Sequence, residues 1–256
     1  MRENNEVEIF VHASRRVIVV VMIVVTLLFG RLPRANAATI TVNSSTTVTY
    51  LDSGLCCTDF TAPFTAANFA SARTGPAAVL DPNLFEDGAP YLPSLPNGPE
   101  AVAIWGNGSP AEDDTLLYAV SFNVPSGVTS ASFVLYYEVD NNLGVTNPGV
   151  YLNGTALPNS IPNPCGYGSY SCFQTEQTYS DSTVGSLLVS GTNWLYLDQV
   201  NEGVIAGIIF SADVTYSTSP VVPEPGTLAL VCTGLLGLGV MALRRIVPPA
   251  GSRLLP

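Results

Sequence analysis

The sequence predicts an all-β fold, an antiparallel β-sandwich, held between two short apolar segments. Three observations carry this. Between residues 39 and 216, apolar residues recur with period two in several stretches, the period at which side chains alternate between the faces of a strand. Turns rich in Pro, Gly and Asn separate those stretches, and no long amphipathic helix interrupts them, a pattern that favours two packed antiparallel sheets. The longest apolar runs, 17–29 and 227–243, lie near the ends of the 256-residue chain and outside the strand pattern.

The N-terminal run has the organisation of a signal peptide. Arg15 and Arg16 precede a thirteen-residue stretch relieved only by Thr26, and Ala35-Asn36-Ala37 places small residues at the spacing signal peptidase cuts, here before Ala38. A transmembrane helix is the alternative. Thirteen residues span only about 20 Å as a helix, short of a hydrocarbon core of about 30 Å. Residues 1–37 are therefore expected to be removed, which makes signal peptidase the first partner.

The exported domain is expected over residues 38–219. Thr39-Ile40-Thr41-Val42 opens it as a strand, and a short helix fits only 64–72. Residues 75–99, rich in Pro and Gly, read as a long surface loop. Leu116, Tyr118, Val120, Phe122 and Val124 share one strand face, and Pro125-Ser126-Gly127 ends that strand. Phe133, Leu135, Tyr137 and Val139 repeat the period, with Glu138 opposite. Val150-Tyr151-Leu152 runs into Asn153-Gly154, a pair suited to a tight hairpin because both positions accept positive φ. Gly191-Thr192-Asn193 leads into a strand over 194–197, a turn-rich stretch follows over 198–207, and a last strand covers 208–216.

At the other end, Val222-Pro223-Glu224-Pro225-Gly226 precedes an apolar run closed by Arg244 and Arg245. Residues 226–243 would make about 27 Å of helix, just enough to span a bilayer with little tilt. Pro223 and Pro225 stop such a helix cleanly. The two arginines prefer the cytoplasmic side, which places the acidic domain outside. Box, helix and basic pair together resemble the PEP-CTERM sorting signal. That resemblance implies a second partner, an exosortase-like membrane peptidase that recognises Pro223, Glu224 and Pro225, with Arg244 and Arg245 completing the signal. It also implies a route: export, anchoring in the inner membrane by the helix of the 220–256 segment, then processing and transfer to the cell surface or medium. The tail over 246–256 is longer than this signal usually carries.

A second resemblance covers roughly residues 100–216. Phe122-Asn123-Val124-Pro125, the strand ending at Asp140-Asn141, Val150 to Gly154, Gly191-Thr192-Asn193-Trp194-Leu195 and Asn201-Glu202-Gly203 occur in that order. The series is similar to the galactose-binding-like jelly roll of secreted sugar-associated modules, which implies a jelly-roll-like sandwich. Turn chemistry accounts for much of it, so it bears on the fold more than on a ligand.

Charge and composition narrow the chemistry. The net charge is −11, and every basic residue is Arg. Between Ala38 and Val222 the only cation is Arg73, against sixteen Asp and Glu, a net −15. Such a surface repels phosphate backbones and excludes nucleic acid as a partner. His12, the only histidine, precedes the expected cut. The mature chain then has no imidazole and no lysine for nucleophilic catalysis or zinc ligation. Carboxylate pairs remain, Glu112/Asp113/Asp114 and Glu138/Asp140, with solvated acids as the alternative. The expectation is a protein that is not an enzyme and has no cofactor beyond structural calcium. Asp140, Asp198 and Glu202, with neighbouring amides, are the candidate ligands, since calcium takes oxygen donors from loops.

Cys56, Cys57, Cys165 and Cys172 fall in the exported part, an even number with three pairings if all are used. Cys165 and Cys172 flank a flexible loop, whereas a bond between Cys56 and Cys57 would strain the peptide joining them. Tyr167, Tyr170 and Tyr179, if exposed, could stack on sugar rings, whereas Tyr118, Tyr137, Trp194 and Tyr216 fit strand faces of the core. The functional expectation is an envelope or matrix protein associated with exopolysaccharide or biofilm. A carbohydrate-binding module with a defined glycan is the alternative, and a carboxylate-pair glycoside hydrolase a more distant one.

Overall fold

A computed structural model of the chain describes residues 37–56, 59–80, 94–106, 114–160, 175–201, 207–219 and the positions 231, 233–235, 237 and 238. Residues 35–219 form one compact unit. Its strands are β1 (Ala37–Asn43), β2 (Thr49–Cys56), β3 (Val79–Leu80), β4 (Ile104–Trp105), β5 (Asp114–Val124) and β6 (Val128–Asp140). They continue with β7 (Asn142–Leu143), β8 (Val150–Leu152), β9 (Thr155–Ala156), β10 (Gln177–Asp181), β11 (Gly191–Val200) and β12 (Gly207–Thr218). One helix, α1 (Ala66–Thr74), lies between β2 and β3.

The strands form two antiparallel sheets. Sheet A runs β10-β6-β12-β4-β3 with β1 also on β12, and sheet B runs β2-β5-β11-β8-β9 with β7 also on β11. The chain passes repeatedly from one sheet to the other: β5 in B, β6 in A, β7 to β9 in B, β10 in A, β11 in B, β12 in A. This alternation makes the sandwich jelly-roll-like, as expected. Each sheet contributes one face to the core: Phe133, Leu135, Tyr137, Phe210 and Val214 from A, and Tyr118, Val120, Phe122, Leu152, Leu195 and Leu197 from B. The period-two pattern in the sequence marks this face, because burying one side of each strand removes apolar area from water at about 25 cal/mol per Å².

Local chemistry explains the connections. Asn153 and Gly154 both hold positive φ (54° and 84°) between β8 and β9, the tight hairpin their pairing predicts. Gly127, at φ 80°, turns the chain from β5 into β6. Helix α1 starts at a capping box in which Thr65 and Asn68 satisfy each other's backbone N–H groups. It lies two residues later than the 64–72 expectation.

Two expectations change, and two strands are added. The presumed loop over 75–99 contains β3, and its last part crosses sheet A, where Leu95 and Ala101 pack on Ile209. The stretch from 198 is not turn at first, because β11 continues through Asp198 to Val200. β2 and β10 are strands that the period-two pattern does not announce. Both are polar: β2 carries Asp52, Ser53 and Gly54, and β10 is the edge strand Gln-Thr-Tyr-Ser-Asp.

The two exits of the compact unit lie side by side. β1 pairs with β12 from Ala37 opposite Ser217 to Asn43 opposite Ser211. The expected signal-peptidase position, with Ala37 and Ala38 exposed at the head of β1, therefore neighbours the strand that leads to residue 220. Ala35 and the rest of the expected signal peptide lie outside the described residues, as do Cys57, Cys165, Cys172 and the side chain of Cys56. Of the expected membrane helix, Val231, Thr233, Gly234, Leu235, Gly237 and Leu238 are helical and exposed. Among the described residues no helix is long and apolar enough to cross a membrane. Pro223, Glu224, Pro225, Arg244 and Arg245 lie outside them.

Candidate functional site

The outer face of sheet B carries the chemistry that the core does not use. Along β11, Leu195 and Leu197 point into the core, so Trp194, Tyr196 and Asp198 share the opposite face. Tyr151 of β8 stands opposite Tyr196, and α1 lays Phe69 and Ala72 on this surface. Phe69 packs against Tyr196 and Tyr151 with centroids 4.7 and 5.2 Å apart.

At one end of this face stands Arg73, in the last turn of α1, where a cation complements the helix dipole. Its guanidinium lies over the rings of Trp194 (5.2 Å) and Tyr196 (5.6 Å), and its Nε donates to the Tyr196 hydroxyl. Trp194 and Tyr196 are stacked at 24°. Trp194 is half-buried, and Ser121, Asn123 and Thr192 beside it on the sheet are exposed. The only cation of the acidic domain thus sits on an aromatic pair at the surface.

Beneath this corner runs a buried amide network. Asn193 is fully buried; its Nδ2 donates to the carbonyls of Val189 (2.7 Å) and Gly191 (2.9 Å). Its Oδ1 accepts from Val189 N–H and Asn153 Nδ2, both at 2.8 Å. Asn153 Nδ2 also donates to the Leu187 carbonyl, and its Oδ1 accepts from Trp194 N–H. The Asn-Gly hairpin and the Gly-Thr-Asn-Trp segment, read separately from sequence, are one structure.

At the other end of the face two carboxyl groups meet. Asp198 has 0% of its surface exposed and Asp59 7%. Asp59 Oδ2 accepts from the backbone N–H groups of Thr146 and Asn147, and Asn147 Nδ2 donates to the Phe60 carbonyl. The same loop brackets Asp198: Gly144 N–H donates to its carbonyl and its own N–H to that of Gly149. Gly144 takes φ 71°, and a Cβ there would stand 2.4 Å from Gly149 N, so the loop requires glycine. Burial, then the charge of Asp59 and a shared hydrogen bond with it, raise the Asp198 carboxyl well above the usual carboxylate range. Burial and the same two carboxyls also raise the Tyr151 hydroxyl above its ordinary value.

This shift sets the sign of a pH effect. A carboxyl whose pKa is higher folded than unfolded makes the native state bind more protons, so stability is greatest in acid and falls as pH rises through the folded pKa. The groups facing Asp198 are Asp59 and Tyr151, with uncharged Leu117 opposite on β5. With a chelator present, the melting temperature is expected to fall as pH rises above the ordinary carboxylate range. Asp198→Asn should remove most of that fall; an unchanged slope would show that Asp198 does not titrate this way.

The sequence-predicted sites are only partly assembled. Asp140 and Asp198 do not converge: Asp140 pairs with Gly207 on the outer face of sheet A, whereas Asp198 is on the outer face of sheet B. Glu202, the third expected calcium ligand, lies outside the described residues. Glu138 and Asp140 are both buried on β6. Glu112 and Asp113 lie outside the described residues, as do Tyr167 and Tyr170. Tyr179, expected to be exposed, is buried instead: its ring lies 6.2 Å from Phe133 and its hydroxyl donates to the Pro158 carbonyl. Burial and nearby Asp181 push that hydroxyl up to about 12. Asp59 was not foreseen, since no spacing in the sequence ties it to residue 198. Among the described residues no three His, Cys, Asp or Glu side chains converge on a metal position.

Residues 221–245 match the PEP-CTERM protein-sorting motif. The match covers the box, the apolar run and both arginines, and it marks an exported protein with a C-terminal membrane-anchoring signal that an exosortase-type membrane protein processes. No curated protein matches the chain. Among solved structures it is similar to a CBM35 from Paenibacillus barcinonensis, at 16% identity over 70% of this chain and 98% of that one, with a TM-score of 0.29. It is also similar to an isomalto-dextranse of Arthrobacter globiformis T6 complexed with panose, at 9% identity and a TM-score of 0.28. There it covers 72% of this chain and 33% of that one. At these scores the likeness adds nothing to the architecture given by the strand pairing.

Proposed function

We propose that this chain is a non-enzymatic envelope protein, freed from its anchor by an exosortase and retained in exopolysaccharide at the cell surface or in the surrounding matrix. The observation that carries the reading is the sorting motif at 221–245, which begins just after β12 ends at Thr218. Two features of the site support a non-catalytic role. After the expected cut the chain has no histidine and no lysine. The paired carboxyls, Asp59 and Asp198, are buried and share a hydrogen bond. Glycosidase carboxyls stand about 5 to 9.5 Å apart with a sugar between them.

The alternative reading, a module with a defined glycan ligand, is favoured by the outer corner of sheet B. A half-buried indole beside exposed Ser121, Asn123 and Thr192 offers an apolar face for a sugar ring and polar groups for its hydroxyls. The test is co-sedimentation of the processed protein with exopolysaccharide from an exosortase-bearing host. The expected result is saturable retention that Trp194→Ala weakens about tenfold or more, at unchanged near-ultraviolet circular dichroism. Retention unaffected by that substitution would assign matrix association to another surface. Protein that stays in the supernatant at every polysaccharide concentration would contradict the matrix role.

A further inference from the structure

We infer that Asp59, Asp198 and Asn142 form a calcium site on the outer face of sheet B, at the end of the sandwich away from the Ala37/Ser217 exits. The only hydrogen bond open to the buried Asp198 carboxyl is one shared with the Asp59 carboxyl, with no N–H donor on either of its oxygens, and both amide atoms of Asn142, which is 1% exposed, are buried without a partner. Strand register brings the two together. Asn142 stands opposite Val200 and Leu143 opposite Gln199 across β7 and β11. Since Leu143 points into the core, Asn142 points to the other face, diagonal to Asp198. Asp59 reaches the same point, held by the loop that also binds the Asp198 backbone.

An unpaired buried carboxylate costs several kcal/mol, and a second one beside it adds repulsion. A proton shared by the two acids would relieve that repulsion but would leave the Asn142 carbonyl oxygen without a donor. A hard cation takes both carboxylates and the Asn142 carbonyl oxygen together. The donors are carboxylate and amide oxygens only, the set that selects calcium over softer metals, with water completing six to eight positions. The −15 domain raises the local cation concentration. The ion would clamp the 144–149 loop and the Asp59 segment onto β11. This inference is independent of the glycan reading.

The test uses the full-length chain in detergent, stripped with a chelator. Terbium added alone should give saturable luminescence sensitised by Tyr151, and calcium should compete it away. Millimolar calcium should raise the melting temperature by several degrees, in line with affinities of about 10⁻⁴ to 10⁻³ M for extracellular modules. Asp198→Asn, close in shape, should fold yet lose both responses, whereas Asp213→Asn, an acid elsewhere on the surface, should keep them. If Asp198→Asn fails to fold, Asn142→Leu serves in its place. No terbium signal and no calcium shift in the parent chain would overturn the inference. So would full responses in the folded Asp198→Asn or Asn142→Leu variant, because the ion would then bind elsewhere.

Discussion

Replacing Pro223, Glu224 and Pro225 together with alanine is expected to stop processing while leaving export intact, so that nearly all of the chain accumulates full-length at the inner membrane. The two prolines keep the box out of the helix that follows, since each lacks an N–H and clashes with the preceding turn. The box then stays extended and readable at the outer boundary of the membrane. Alanine removes both that restraint and the carboxylate of Glu224, but it makes the segment no less able to insert. Arg244 and Arg245 act differently. Drawing either arginine into hydrocarbon costs on the order of 3 kcal/mol, so the pair fixes depth and orientation. Neutralising both should blur topology and weaken processing less selectively. Fractionation with an antibody to the exported domain distinguishes the two outcomes. A box variant that is processed normally would mean that Pro223, Glu224 and Pro225 are not what the peptidase reads.

Asn193→Ala is expected to produce the largest loss of stability of any single polar substitution in sheet B. The side chain makes four hydrogen bonds of 2.7 to 2.9 Å in a fully buried position. Alanine leaves Val189 N–H and two carbonyls without these partners, and each orphaned buried group costs about 1 to 3 kcal/mol. Asn153 would also lose its link to β11 through Asn193, loosening the hairpin under Trp194. A total of about 4 kcal/mol lowers the melting temperature of a domain this size by about 10 °C. Thr192→Ala is the control. Its exposed hydroxyl bonds only the Asn123 side chain, so the change should stay within about 0.5 kcal/mol. Equal losses from the two variants would show that the network carries no special weight.

The face that the sandwich buries is legible in the sequence because it obeys the period of a strand, as the run from Leu116 to Val124 and that from Phe133 to Val139 show. Asn153-Gly154 is legible because its φ values leave few alternatives. The candidate site is not, and for physical reasons. Asp198 and Asn142 break the rule that buried positions are apolar. A polar run from 198 reads as a turn, although the strand continues through it. Asp59 meets Asp198 only because β2 and β11 both flank β5 in one sheet, a neighbourhood set by topology and not by spacing. Tyr179 misleads in the opposite direction. In a polar edge strand its ring alternates inward, and its hydroxyl finds a backbone carbonyl, so an isolated tyrosine among Gln, Thr, Ser and Asp proves to be core.

Export followed by a cut at the C-terminal signal is tested most directly by intact mass. The protein is isolated from a host that carries the sorting peptidase and from one that lacks it. The expected product starts at Ala38 in both, and only in the first host does it lose mass that places the new C-terminus near Pro223-Glu224-Pro225, with the 226–243 helix removed. Identical masses, with that helix still attached in both hosts, would contradict it and reduce the C-terminal segment to a plain anchor.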